Sequence, residues 1–309
     1  MDSGVDLSGL IYGSSPEKAP GKRHRPPTRK LVDSGSKKWD PEVTPLLAPL
    51  PARMRIMQRH FTAFTAFHST PSRFFHYTRP RSSKYNIREL KDATVSERAA
   101  AEIAIAHGFQ HNRCLMMTAN HDPVYSVAVS RLFLTAALLE GTTHVAEDSA
   151  GKIVGAIMSF GPGTEFLHTT RQKEEALAPL LACLDNRTSW WLTNEFIPEY
   201  STFLDSSLGP GTLLDSWHLQ LASIHPDHAR SGIGKHFVHE VINQARSTHG
   251  PGVTITVEPC SGADSVAVVI PFLSRLGFIT RGHTFLKGVS GRVEGQMWSM
   301  SWEDQLNSQ

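Results

Sequence analysis

The chain lacks an apolar run long enough to cross a bilayer, since its longest, around Leu132 to Leu139, is too short and contains Thr135. A membrane is therefore not an expected partner. Cysteine is scarce, with only Cys114, Cys183 and Cys260. Far apart and odd in number, they predict neither a disulfide framework nor a zinc spacing, and no metal site is expected. A reducing compartment is the simplest implication, so a cytoplasmic location is expected. Two familiar nucleotide signatures are also missing. A phosphate loop would need Ser or Thr after Gly234-Lys235, where His236 stands, and the dinucleotide fingerprint would need glycine where Phe237 stands.

Acid is missing from residues 53 to 84, which mix Arg53, Arg55, Arg59, Arg73, Arg79 and Arg81 with Phe61, Phe64, Phe67, Phe74 and Phe75. The net charge of +2 therefore hides a division: residues 1 to 84 hold 15 Lys and Arg against 6 acids, and the remainder 16 against 23. Up to about Pro51 the leader is rich in Pro, Gly, Ser and basic residues, a mixture that cannot offset the ordering entropy of a fold. Residues 1–83 are read as a basic, largely disordered leader and 84–309 as one folded domain. The arginine-rich, acid-free segment resembles a mitochondrial presequence in composition, and an internal start at Met54 or Met57 would make that its location; its internal position favours a docking helix or basic arm instead. The leader lacks the aromatic interleaving or helix motif of a nucleic-acid binder, and nucleic acid is not an expected partner.

What is present is most telling between His218 and Gly234. Leu219, Leu221 and Ile224 read as a buried strand stopped at His225-Pro226. Arg230, Ser231, Gly232, Ile233, Gly234 and Lys235 then open a helix whose Ile233, Phe237, Val238, Val241, Ile242 and Ala245 share one face. Two glycines one residue apart let the backbone approach a ligand, and a helix start offers free N–H groups and a positive dipole end to an anion such as a diphosphate.

The pattern around this join is globular. Tyr85 to Leu90 reads as a first strand, and Thr94 with Glu97 is a capping box opening a helix through Ala106. A second helix follows Pro123, and Thr143–Asp148 with Lys152–Phe160 form a hairpin in which Gly155 marks a bulge or close approach. Residues 161–211 read as a helical insert with helix from Gln172 to Leu184 and a break at Pro198; its Trp190, Trp191, Phe196 and Tyr200 are candidates for lining an acceptor pocket. Val253 to Glu258 alternates as a strand, Asp264 to Arg275 is helical, and strands around 279–285 and 296–302 complete the sheet.

The strand, proline, turn and G-x-G helix start, with the wording H-P-x-x-x-x-x-G-I-G, resemble the acyl-CoA loop of the GNAT N-acetyltransferase superfamily. Ala229 stands at the family's Gln/Arg position, with Arg230 one step along. Val269 to Phe278 resembles its second motif, N-x-P-x-Y-x-x-L-G-F, with Val269 in place of the asparagine and Leu273 in place of the proton-donating tyrosine. The resemblance implies a mixed, largely antiparallel twisted α/β sheet of six to seven strands with helices on both faces. It implies acetyl-CoA as co-substrate, held by Arg230 to Lys235 and by the main chain of Ala222, Ser223 and Ile224 where two strands splay apart. It also implies direct transfer to an amine, either a small molecule or a protein lysine. Glu258 and His225 are the candidate general bases. His218 also lies on the central strand, and alternation predicts that it and His225 face opposite ways. The alternative, given the missing tyrosine, is a domain that binds acyl-CoA without turnover.

Overall fold

Alternation from Tyr85 onward becomes an eight-stranded sheet in the computed structural model, which describes residues 84–261 and 263–304. The basic leader lies outside the described residues. The strands are β1 (Asn86–Glu89), β2 (Thr142–Glu147), β3 (Ile153–Phe160), β4 (Trp217–Ile224), β5 (Thr254–Val257), β6 (Cys260–Ser261), β7 (Ile279–Lys287) and β8 (Val293–Glu303). They run in the order β1-β2-β3-β4-β5-β8, with β6 and β7 both on β8, and every pairing except the parallel β4–β5 is antiparallel. One strand exceeds the expected range because β6, at two residues, is too short to leave a periodic pattern.

Helices cover both faces. On one face lie α1 (Val95–Phe109), α2 (Arg113–Thr118), α3 (Pro123–Glu140) and the helical insert, packed against Val145, Ala156, Met158, Phe160 and Leu221. On the other, α7 (Ile233–His249) and α8 (Ala263–Arg275) cover Ala146, Val154, Ile157, Leu219, Ile255 and Val257. The capping box that opens α1 is formed in both directions, Glu97 N–H to Thr94 Oγ1 at 3.2 Å and Thr94 N–H to Glu97 Oε2 at 2.9 Å. The apolar face of α7 is the expected one: Ile233, Phe237, Val238, Val241, Ile242 and Ala245 are all buried. Contrary to the reading of the sequence, which stopped at Leu132 to Leu139, the 18-residue α3 is long and apolar enough to cross a membrane by length and composition, because the helix joins apolar residues that polar ones interrupt along the chain. Here its Val129, Leu132, Leu134, Ala136 and Ala137 belong to the core.

The central strand carries an irregularity that alternation alone does not reveal. Met158 pairs with Leu221 and Ser159 with Leu219, so Gln220 is an extra residue, a β-bulge. Leu219 and Leu221, two residues apart, accordingly sit in opposite cores. The same extra residue overturns the expectation that His218 and His225 face opposite ways: Ser223 and His225 reach Ile105 and His107 of α1, on the insert face that His218 also occupies.

The insert departs from its sequence reading in one respect. Pro198 does not break a helix. Residues 170–183 (α4) and 186–208 (α5) are each continuous, with a π turn at Lys173–Leu177 and at Leu192–Phe196, two residues before Pro179 and Pro198. Proline removes a donor and crowds the carbonyl four residues back; the wider turn absorbs both effects. A single turn, α6 (Thr212–Asp215), leads into β4.

The cysteines need a second correction. Cys114, at the start of α2, and Cys260, in β6, are joined as a disulfide with Cα atoms 6.0 Å apart, although 146 residues separate them; Cys183 is free. Sequence distance carried no information about this pair because β6 and α2 are brought together only by the sheet.

Gly155 marks a close approach. A Cβ there would lie 2.8 Å from the carbonyl oxygen of Ser223 on β4. Gly155→Val is expected to destabilise the fold by roughly 1–3 kcal/mol, read as a lower denaturation midpoint with an unchanged slope in urea.

Candidate active site

β4 and β5 pair over only three positions, Trp217 with Ile255, His218 with Thr256 and Leu219 with Val257. Beyond Leu219, β4 continues to Ile224 held by β3 alone. The His225 amide donates to the Val154 carbonyl at 2.8 Å, which sets the ladder's alternation. The main-chain groups of Ser223 and Leu221 then point at β3, and those of Ala222 and Ile224 point to the side that β5 has left. Ser223 is thus withdrawn from the expected trio: its backbone faces β3 and its hydroxyl donates to the Ile105 carbonyl at 3.1 Å.

At the end of this open edge stands the start of α7. A short 3₁₀ turn (Pro226–His228) leads to Arg230 and Gly232, both with left-handed backbone, φ +58° and +94°. Ser231 Oγ donates to the His228 carbonyl at 2.6 Å, tightening the turn. The starts of α1, α2 and α3 are capped by the side chains of Thr94, Asn112 and Asp122. The start of α7 has no side-chain cap and no acid in its first turn, so the N–H groups of Ile233, Gly234 and Lys235 have no intrahelical partner and are suited to receiving an anion. The Ile233 side chain is buried, so only its backbone serves. A Cβ on Gly234 would meet only Ile224 Cδ1 at 3.4 Å and Phe272 at 3.7 Å, ordinary contacts. Packing therefore does not demand glycine there, whereas a ligand lying on the helix start would.

On the insert face, where β4 and β5 begin to part, a buried polar cluster gathers. His218 Nδ1 lies 2.9 Å from Thr256 Oγ1, and its Nε2 lies 3.1 Å from Glu258 Oε2. The Tyr200 hydroxyl donates to the same Oε2 at 3.0 Å. Tyr200 comes from α5, its ring stacked on Phe196, which contacts Trp191. Thr256 can pass its one hydroxyl proton to the Trp217 carbonyl at 3.4 Å, so its oxygen accepts from an Nδ1–H. A lone pair on Nε2 would then face a carboxylate, and the doubly protonated ring is the form that fits. Burial disfavours the imidazolium, but the nearby charges of Glu258 and Glu165 outweigh burial, and His218 titrates above the usual histidine range. Burial, with Glu258 beside it, pushes the Tyr200 phenol well up, so it remains a donor. Burial also raises Glu165, opposed by His218 and His168. Glu258 Oε1 is buried and accepts no hydrogen bond.

The two candidate bases are thus placed apart. Glu258 belongs to this cluster. His225, past the other end of β4, shares a hydrogen bond with His107 (2.8 Å), and burial followed by His107 lowers its pKa. Of the four insert aromatics, Tyr200 reaches the cluster, Trp191 is core and Trp190 is 57% exposed. Sequence reading had not joined His218, Thr256 and Tyr200 to Glu258. The i, i+2 spacing of Thr256 and Glu258 and their register with His218 were the available signal. Leu273, at the tyrosine position of the second motif, is buried against the α7 face of the sheet.

No protein-family model and no curated protein matches the sequence. Many solved structures that resemble it are acetyltransferases, among them a putative GNAT-family member. They include a polyamine N-acetyltransferase from Drosophila melanogaster that forms N-acetylagmatine (16% identity, 71% of this chain and 99% of that one, TM-score 0.49). A mosquito arylalkylamine N-acetyltransferase-like protein has 13% identity over 71% of this chain and 99% of its own, TM-score 0.49. A histone acetyltransferase-related protein from Corynebacterium glutamicum has 14% identity over 73% and 99%, TM-score 0.45. At such identities and scores the likeness does not extend to residues or substrates.

The sign of the His218 shift gives a direct check. In an NMR titration of imidazole C–H signals, His218 is expected to titrate above the ordinary histidine value of ~6.5. In Glu258→Gln, which leaves burial and removes the charge, its midpoint is expected to fall to the acid side of the wild-type midpoint. An unmoved midpoint would show that Glu258 does not hold the imidazolium.

Proposed function

We propose that this chain is an acyl-CoA-dependent N-acyltransferase that moves acetyl from acetyl-CoA directly to an amine. The observation that carries the reading is the alignment along β4: an uncapped helix start, then the open main chain of Ala222 and Ile224, then a buried carboxylate with an unshared oxygen. The first two features suit a long, linear ligand with an anionic end, the amides of Ile233, Gly234 and Lys235 meeting a diphosphate and the edge of β4 meeting an extended amide-bearing arm as an added strand would. Acetyl-CoA would supply the activated acyl thioester.

The chain's own residues supply the proton handling. An amine at neutral pH is protonated and must lose a proton before it can attack. Glu258 Oε1 is a free acceptor in a place shielded from water, while Oε2 is held by Tyr200 and His218. Tyr200 and His218 therefore fix the carboxylate's direction, and Glu258 takes the proton. The positive charge of His218 lowers the cost of keeping Glu258 ionised out of water.

A second reading, acyl-CoA binding without turnover, has one observation in its favour: Leu273 is packed in the core and has no proton to donate to a departing thiolate. Calorimetric titration with CoA together with release of CoA thiol from acetyl-CoA across a panel of amines separates the two. Binding with turnover is expected, and binding with no turnover on any amine would support the sensor. Gly234→Val is expected to weaken CoA binding at least tenfold with little change in thermal midpoint. Glu258→Gln is expected to keep CoA binding and lower the transfer rate by ~100 to 10,000-fold, the usual range for a lost general base.

A further inference from the structure

We propose that Cys114 and Cys260 form a reversible redox clasp on the turn that carries Glu258, a modification site distinct from the coenzyme cradle; its effect on transfer rests on the acyltransferase reading above. Glu258 directly follows β5, and two residues later Cys260 begins β6. The intervening turn is held from two sides. Toward β8, the Trp298 amide donates to the Pro259 carbonyl at 3.1 Å and Cys260 pairs with Met297. Toward α2, Asn112 is the link: its Oδ1 accepts from the amides of Cys114 (3.0 Å) and Leu115 (3.1 Å), and its Nδ2 donates to the Cys260 carbonyl at 2.8 Å. The Cys114–Cys260 bond lies beside this polar contact and ties the same two segments covalently.

The two cysteines differ in exposure. Cys114 is buried at 2% exposure, whereas Cys260 is half-buried. A small thiol such as glutathione is therefore taken to attack at the more exposed Cys260, its thiolate bonding to the Cys260 sulfur while Cys114 leaves as thiolate and takes a proton. A second glutathione then displaces Cys260 from the mixed disulfide. Two glutathione thiols are oxidised to one glutathione disulfide and the protein gains two thiols; excess glutathione disulfide runs the exchange backwards. Cys183, on α4, takes no part.

Opening the clasp leaves the Asn112 contact and the β8 ladder in place, so the fold persists while the Glu258 turn loses its covalent anchor to α2. Looser placement of the carboxylate affects the amine side of the reaction and not the diphosphate side. Misplacement on the ångström scale costs up to ~100-fold in rate, so a fall of about tenfold is expected on reduction.

The test uses the full-length chain carrying Cys183→Ser, so that every thiol reports on the clasp. The protein is equilibrated in mixtures of reduced and oxidised glutathione, and free thiols are alkylated and mapped by mass spectrometry. No alkylated cysteine at the oxidising end, both Cys114 and Cys260 alkylated at the reducing end, and the same curve from either direction are expected. Two free thiols at every ratio, or a bond that no ratio opens while the protein stays folded, would overturn the proposal. The His218 imidazole signal is followed in the same mixtures and is expected to shift with the alkylated fraction; an unmoved signal would remove the link to Glu258. Transfer to an amine is expected to track the same curve with CoA affinity unchanged, and Cys260→Ser is expected to be slow at every ratio. If thiols and His218 respond as expected but no amine is acetylated, the clasp stands and the acyltransferase reading falls.

Discussion

One additional residue in β4 governs the arrangement on which everything else rests. Gln220 has no partner on β3, so the strand turns over at that point, Leu219 entering one core and Leu221 the other. Just before it, β4 is paired on both sides; just after it, β5 is gone and one edge stands open. The ladder to β5 stops at Leu219 and Val257, where β5 itself ends, so the bulge and the opening fall at the same point of β4. The bulge leaves one residue of β4 unpaired, and the hydrophobic packing of α1 on one face and α7 on the other keeps the sheet intact around it. Each fully buried Phe, Ile or Leu in those layers contributes roughly 1.5–3 kcal/mol.

The buried charges at the mouth of that opening follow the same logic. A carboxylate such as Glu258, with its side chain only 4% exposed, is costly unless it is paired. His218 at 3.1 Å and Tyr200 at 3.0 Å lower that cost without using both oxygens. Two different elements contribute the partners, β4 and the insert helix α5, so the insert both covers the sheet and completes the polar cluster.

Much of this was legible in the chain because local signals and fold agreed. Thr94 with Glu97 announced α1, the face Ile233 to Ala245 announced α7, and Gly232 with Gly234 announced the open helix start. Glu258 was singled out by its position at the end of an alternating strand. What stayed hidden depended on tertiary register. A bulge leaves no local trace, so the parity of His218 and His225 was inverted; Tyr200 and Glu258 are 58 positions apart and meet only through the insert; Cys114 and Cys260 are 146 apart and meet only through β6. Pro198 looked like a terminator because the usual rule assumes i to i−4 bonding, which the wider turn at Leu192–Phe196 does not follow.

That wider turn has a structural consequence of its own. A π turn accommodates one residue more than the ordinary helix would, and each residue advances the helix by about 100°. Everything downstream of Phe196 is thus rotated relative to an uninterrupted coil, and Tyr200 meets the carboxylate because of that rotation. Length change by a single amino acid in this segment acts as a dial: it would swing the phenol away from the sheet and present a different side chain of the same helix to the opening, so the insert can alter what the cleft accepts without any substitution in the strands beneath it.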